Sequence, residues 1–342
     1  MANNENKLQQ TKGFFKLAGI VSGVKRNDFY TEKMTQTDNP KPRRSIKFAV
    51  QTSPENKVFV TLGAQPRDKV YFSKRSEIKG EKSTVKAVDW DNRKSFKEDD
   101  FKIIGTNIGL VKKQDADGKE INDIQTLVEY DAVEYIKEHL QDDMHVFVRG
   151  HMEYSRFEDR NIKQYAIDQI YLSHPIDFTA EDFNETANWE QPIAFRSVEK
   201  DPSEENKFIL TGSIVNYNDI VETDFVIRTP KIAQTLKKNL KPYNLIKIYG
   251  DLIGYVQEVT VDEDGDDGWG EPNPMQATSN FHKEMLVLGA DKTSIDTEIY
   301  SEEIFDEFMR SKKEFGEVAS SKTKSSTTDD KGDDSDDDDW AV

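Results

Sequence analysis

Between Asn27 and Arg44 aromatic and cationic side chains are interleaved: Phe29, Tyr30, Lys33, Lys41, Arg43 and Arg44, with Arg26 just ahead of them. These two residue types together suit one chemistry. Bases of a single strand stack on aromatic faces at about 1–3 kcal/mol per base with little regard for sequence, while Lys and Arg track the phosphates. A duplex would keep its base faces hidden. Period-two alternation extends the pattern into two following segments. Ser45–Gln51 turns Ile46, Phe48 and Val50 to one face and Lys47 with Ala49 to the other, and Lys57–Leu62 turns Val58, Val60 and Leu62 inward and Lys57, Phe59 and Thr61 outward. Tyr71, Arg75, Trp90, Arg93 and Lys94 continue the mixture, as do Arg156, Phe157 and Arg160. Any one of these rings packs as well in a core, and any one cation is ordinary surface. The signal is the cluster.

The charge distribution points the same way, although the whole chain carries -18. Lys12 to Lys97 holds 14 Lys and 6 Arg against 9 acids, a local +11, and the rest of the chain carries -29. With no Cys and five scattered His, neither disulfides nor a thiolate metal site can form, and a reducing compartment is expected. Asp262, Asp264 and Asp266 start like a calcium loop, but the sixth position is Asp267 where that loop needs Gly, so a solvated acidic loop is expected. There is no phosphate-cradling Gly-rich loop, nucleophile elbow or paired-His spacing, so no enzyme, metal or cofactor is expected. Met1–Thr11 is polar, and no run approaches the roughly 18 apolar residues of a membrane span.

The elements that must carry these residues repeat. Phe14–Val24 and Lys207–Tyr217 are apolar runs with Gly19 and Gly212 at the same place; Met144–Tyr154 and Leu245–Tyr255 match around Gly150 and Gly250. Each of the latter follows a helix-like stripe, Tyr130–Leu140 and Pro230–Leu240, and each unit closes with another strand, Ile162–Leu172 and His282–Leu288. Strand with a glycine bend, further strands, a short helix, a glycine-bearing strand and a last strand is the order of a five-stranded OB barrel. The expected fold is therefore mainly β: two tandem OB-like barrels, short helices and a disordered acidic tail. Pairing Gly19–Gly150 with Gly212–Gly250 leaves about 93 residues inserted in the first barrel, with strands near 69–75, 84–90 and 101–111 and a hairpin turn at Asp115–Gly118. The predicted divisions are a disordered start 1–11, an enlarged barrel 12–175, an irregular linker 176–206 marked by Pro192 and Pro202, a second barrel 207–297, a helix 298–315 and a disordered tail 316–342.

In an OB barrel the ligand lies across strands two and three, flanked by the one–two and four–five loops, which places the aromatic–cation cluster on the first barrel. The second barrel's counterparts, Asn216–Glu222 and Thr260–Asn280, are acidic and would repel phosphate. Its role is open: structural, protein-binding, or a weaker site using Lys237, Lys238 and Lys241. The tail ends Asp336-Asp337-Asp338-Asp339-Trp340-Ala341-Val342. Solubilisation does not call for a terminal Trp, and an aromatic tip with an α-carboxylate fits a basic-rimmed pocket on another protein.

An Asp-rich tail with an apolar tip resembles that of bacterial and phage single-stranded-DNA-binding proteins, and the two barrels resemble the longer members from large phages of low-GC Gram-positive bacteria. The tip here is Trp340-Ala341-Val342 where bacterial proteins carry Ile-Pro-Phe. The resemblance implies a non-enzymatic protein of the cytoplasm, the host's if phage-encoded. It would coat and protect single-stranded DNA in replication and recombination and recruit replication or recombination proteins through Asp336–Val342. Two other readings stay open: a hub whose barrels bind protein, and a helicase- or primase-loading accessory with little DNA affinity of its own.

Overall fold

A computed structural model describes residues 8–37, 39–76, 78, 81–157, 160–217, 219–256 and 281–312. Strand β1 (Gly13–Ser22) alternates buried and open residues, as a strand half-facing a core must, and β2 (Tyr30–Met34) is a short edge strand. Both pair with β3 (Pro42–Gln51), which pairs in turn with β4 (Lys57–Ala64). Ile46, Phe48, Val50, Val58, Val60 and Leu62 are all buried, on the face their alternation predicts. Residues 65–128 are the insertion. In it β5 (Lys69–Lys74), β6 (Thr84–Asp89) and β7 (Lys102–Ile103) form a small sheet, and β8 (Thr106–Gly109) leaves to join the barrel. Next come β9 (Lys112–Gln114) and β10 (Glu120–Asn122), a hairpin turning at Asp115–Gly118 with Gly118 at φ 76°, and then β11 (Gln125–Leu127). Helix α1 (Glu129–His139) buries Ala132, Val133 and Ile136, and β12 (His145–Phe157) with β13 (Arg160–Leu172) completes the unit. β1 pairs with both β3 and β12, and β4 with β13 in parallel, so the five strands close into an OB-like barrel.

The second barrel has the same connectivity one strand earlier than the sequence repeat suggests. Its first strand is β14 (Thr186–Lys200), which lies in the segment expected to be an irregular linker. β15 (Phe208–Val215), matched by sequence to β1, is instead its second strand. Pro192 is compatible with this strand because it falls in the gap between the stretch of β14 paired with β1 and the stretch paired with β15, where that edge has no strand partner. Gln191 fills the gap, its Nε2 donating to the Thr11 and Pro192 carbonyls. β16 (Ile220–Ile227), α2 (Pro230–Asn239), β17 (Leu245–Val256) and β18 (Phe281–Asp296) follow, with β16 parallel to β18 and β17 closing on β14. With β14 as strand one, the extra chain of the first barrel is the block 65–128 between strand three and the helix.

The barrels are joined through their first strands. β1 and β14 pair antiparallel from Phe14↔Glu190 to Ala18↔Thr186, which lines up Gly150, Phe15, Trp189 and Gly250 across four strands. The apolar interiors merge into one cluster containing Phe15, Trp189 and Phe225, the last two stacked with centroids 5.3 Å apart. A final helix, α3 (residues 302–312), is capped by Ser301, whose Oγ accepts from the Ile304 amide. It lays Phe305 and Phe308 on Val215, Ile220 and Leu245. Residues 8–11, expected to belong to a disordered start, are held in place: Thr11 is buried, its amide donates to the Val215 carbonyl, and Tyr300 donates to the Gln9 carbonyl. Residues 313–342, with the tail, and the acidic stretch 257–280 lie outside the described residues.

Candidate nucleic-acid interface

On the outer face of β3 and β4, Lys47 and Phe59 stand where the alternation puts them. The Phe59 ring is half-buried. Lys47 Nζ lies 5.4 Å from its centroid, the Arg26 guanidinium 5.8 Å, and Lys283 Nζ, from β18 of the second barrel, 4.6 Å. An aromatic face rimmed by cations is the arrangement that stacks a base and holds its phosphates. Asp28 orients Arg26 through two hydrogen bonds of 2.8 and 2.9 Å, and that bonding holds its carboxyl below the usual range against desolvation. Ala49, assigned to the same outer face, is buried, with Phe59 as its cross-strand neighbour.

Beside this face a groove of about 590 Å³ opens between β3–β4 and the strands β12–β13. Arg43, Lys47 and Arg67 supply its cations, and Thr61, Gln164 and His151 its uncharged or titrating polar groups. His151 Nδ1 is 2.8 Å from Asp168 and Nε2 3.3 Å from Glu153. Desolvation lowers the pKa of this ring, but the two carboxylates overcome it and push it up to about 9. His151 is thus an imidazolium at neutral pH, cancelling part of the acidic charge in the groove. A folded pKa above the unfolded value near 6.5 means that its stabilisation is complete below pH 6.5 and is lost as pH rises through 9. Urea denaturation of wild type and His151→Gln should show a stability difference about 2 kcal/mol larger at pH 6 than at pH 9.5, discounting for the solvent-exposed Glu153. A pH-independent difference would contradict this assignment.

Other residues singled out in the sequence sit elsewhere. Phe29 is buried against Phe48, so it is a core residue and is unavailable to a base. Arg44 bonds Glu32 and Glu134 and lies over Tyr130, which makes it a staple between β3 and α1. Arg93 forms a bidentate pair with Asp131, both largely buried, and stacks on Trp90, pinning the insertion to α1. Phe29 presents no open face to a base, and Arg44 and Arg93 are held by carboxylates in settings far more enclosed than that of Arg26. Tyr30 is half-buried, donates to Glu32 and carries Lys137 over its ring; desolvation and that bond push its hydroxyl up to about 12. Lys41 pairs with Asp68. Lys33, Lys57, Tyr71 and Arg75 are exposed, Lys33 on β2, Lys57 on β4, and Tyr71 on the outer surface of the insertion, while Arg43, exposed as well, lines the groove. Arg156, near the end of β12, donates to the Ile220 carbonyl of the second barrel, and Phe157 ends that strand. Asp336 to Val342 lie outside the described residues.

On the matching face of the second barrel the cations are likewise paired, as Arg26 is with Asp28 and Arg67 with Glu129 in the first. Thr211 donates to Asp224, Arg196 pairs with Glu222, and Lys207 and Arg228 converge on Glu284, so these cations are matched by carboxylates. Lys237, Lys238 and Lys241 are exposed on and just after α2. Among the described residues no three metal-ligating side chains converge, and no helix is long and apolar enough to cross a membrane.

Two OB-like barrels fused through their first strands, one of them bearing an aromatic ring ringed by cations, define the class: a mainly β tandem-barrel protein. Residues 75–322 match the family described as YorF, and the chain belongs to it. No curated protein matches the chain. Among solved structures it is similar to the wild-type single-stranded DNA binding protein from Thermus aquaticus and to a deletion mutant of it. In both cases identity is 9% and the TM-score 0.37, over 86% of this chain and 97% and 98% of those chains.

Proposed function

We propose that this protein binds single-stranded DNA, coating and protecting it during replication or recombination, phage replication included, and that it does so as a binder and not as an enzyme. The observation that carries the reading is the Phe59 ring with Arg26, Lys47 and Lys283 within 6 Å of its centroid, on strands two and three of an OB-like barrel. The groove beside it, with Arg43 and Arg67, gives the backbone a continuation. The acidic tail with its Trp340–Val342 tip recruits partner proteins, and as a polyanion it competes with DNA for the basic face.

Titration of labelled oligo(dT) with the full chain and with a chain ending at Phe315 tests this. Binding should weaken steeply with salt and should be unchanged or tighter without the tail. Absence of binding by both forms would overturn the proposal.

A further inference from the structure

We infer that the second barrel completes the nucleic-acid face of the first: Lys283 and Lys163 form, with Lys47, a phosphate clamp across the junction of the two barrels. The inference rests on the proposed DNA-binding function and gives the second barrel a part in it. Of the three cations around Phe59 among the described residues, the nearest comes from the other barrel: Lys283 Nζ is 4.6 Å from the ring centroid, against 5.4 Å for Lys47 and 5.8 Å for Arg26.

This reach is built into the junction. Asn56, just before β4, donates 2.7 Å to the Leu252 carbonyl of β17; Asn161 donates 2.7 Å to the Glu222 carbonyl, and Asn216 2.8 Å to that of Tyr154. Tyr154 and Met285, both buried, meet between the barrels, and Met285 lies two residues from Lys283. Alternation along β18 separates two tasks. Glu284 turns to Lys207 and Arg228 of its own barrel, while Lys283 turns to Phe59.

Lys163, on β13, is the cross-strand partner of Tyr154, which meets Met285 two residues from Lys283, and its amine lies 6.0 Å from the Tyr165 centroid. Desolvation against the strand face, and then the positive charge of Lys283, lower the pKa of its amine to about 8. Desolvation and the charge of Lys47 lower Lys283 as well. Lys47, Lys283 and Lys163 place three amines along one path over the junction, where successive phosphates of a bound strand can meet them. A strand with a base on Phe59 would thus send its backbone over Lys283 and Lys163, crossing from one barrel to the other.

The test is the salt dependence of oligo(dT) binding by the full chain as wild type, Lys283→Met, Lys163→Met and Lys163→Arg. Each Met variant should reduce the log–log salt slope by about 0.7, the value for one phosphate contact on a single strand. Each should also weaken binding several-fold at low salt, while Lys163→Arg keeps the wild-type slope. Thermal transitions matching wild type will show that the variants fold. Wild-type binding with both Met variants unchanged in slope and affinity overturns the clamp alone. Absence of binding by the wild type overturns the DNA-binding reading and the clamp with it.

Discussion

Alanine at Gly150 or Gly250 is expected to destabilise the protein by about 3 kcal/mol or more. A Cβ on Gly150 would sit 1.8 Å from the Ala166 carbonyl oxygen and 2.8 Å from the Phe15 ring, and one on Gly250 would sit 1.7 Å from the Leu286 carbonyl oxygen. The nearest obstruction is backbone in both cases, so no rotamer change relieves it. Each glycine follows a register shift, after Arg149 in the first barrel and after Tyr249 in the second, where strand four bends to close the barrel. Because Gly150, Phe15, Trp189 and Gly250 form one row across the joined sheet, damage at either end reaches the core shared by both barrels. Gly118→Ala provides the contrast. Its φ of 76° costs an alanine about 1 kcal/mol, but nothing lies within 4 Å of the new methyl. Urea unfolding curves should rank the three variants accordingly. A Gly150→Ala protein within 1 kcal/mol of wild type would refute the close packing described.

Replacing Phe59 by alanine should weaken oligo(dT) binding about 10- to 100-fold, the loss expected when one base loses its stacking platform. The ring is half-buried on an outer strand face and lies outside the merged apolar cluster, so the fold should survive. Phe59→Tyr keeps a π-face and should bind within about threefold of wild type. Phe29→Ala makes the converse prediction. Its ring is in the core against Phe48, and its removal should cost about 3 kcal/mol of stability. Equal losses of affinity in Phe59→Ala and in an exposed aromatic of the second barrel such as Tyr249→Ala would remove Phe59 from its special place.

What was legible in the sequence was set by local period. The inward sets Ile46, Phe48, Val50 and Val58, Val60, Leu62 repeat every second residue, and the two helices repeat a helical stripe, so short windows suffice. Gly150 and Gly250 were legible because one steric demand recurs at one topological position. Gly19 and Gly212 only looked equivalent: they lie in strands one and two of their barrels, each hemmed in by a different neighbour. β14 is not legible from composition because Pro192 gives the same signal in a linker as in a strand with an unpaired stretch of edge.

At the interface, composition located the cluster and could not sort its members. Arg44 and Arg93 look like phosphate-binding arginines until Glu134 and Asp131 are seen to claim them. Those partners lie 90 and 38 residues away, and no periodic pattern links them. Lys283 carried no signal at all for its place beside Phe59, since that neighbourhood exists only once the two barrels are packed.

On the proposed function a single strand lies across β3 and β4 of the first barrel. Photo-crosslinking of a bromodeoxyuridine-substituted oligonucleotide to the full chain, followed by mapping of the modified peptides, tests it most directly. Adducts should fall within residues 42–64, concentrated at Phe59, with weaker labelling around Lys163 and Lys283. Adducts confined to residues 208–227 of the second barrel, with none on β3 or β4, would contradict it.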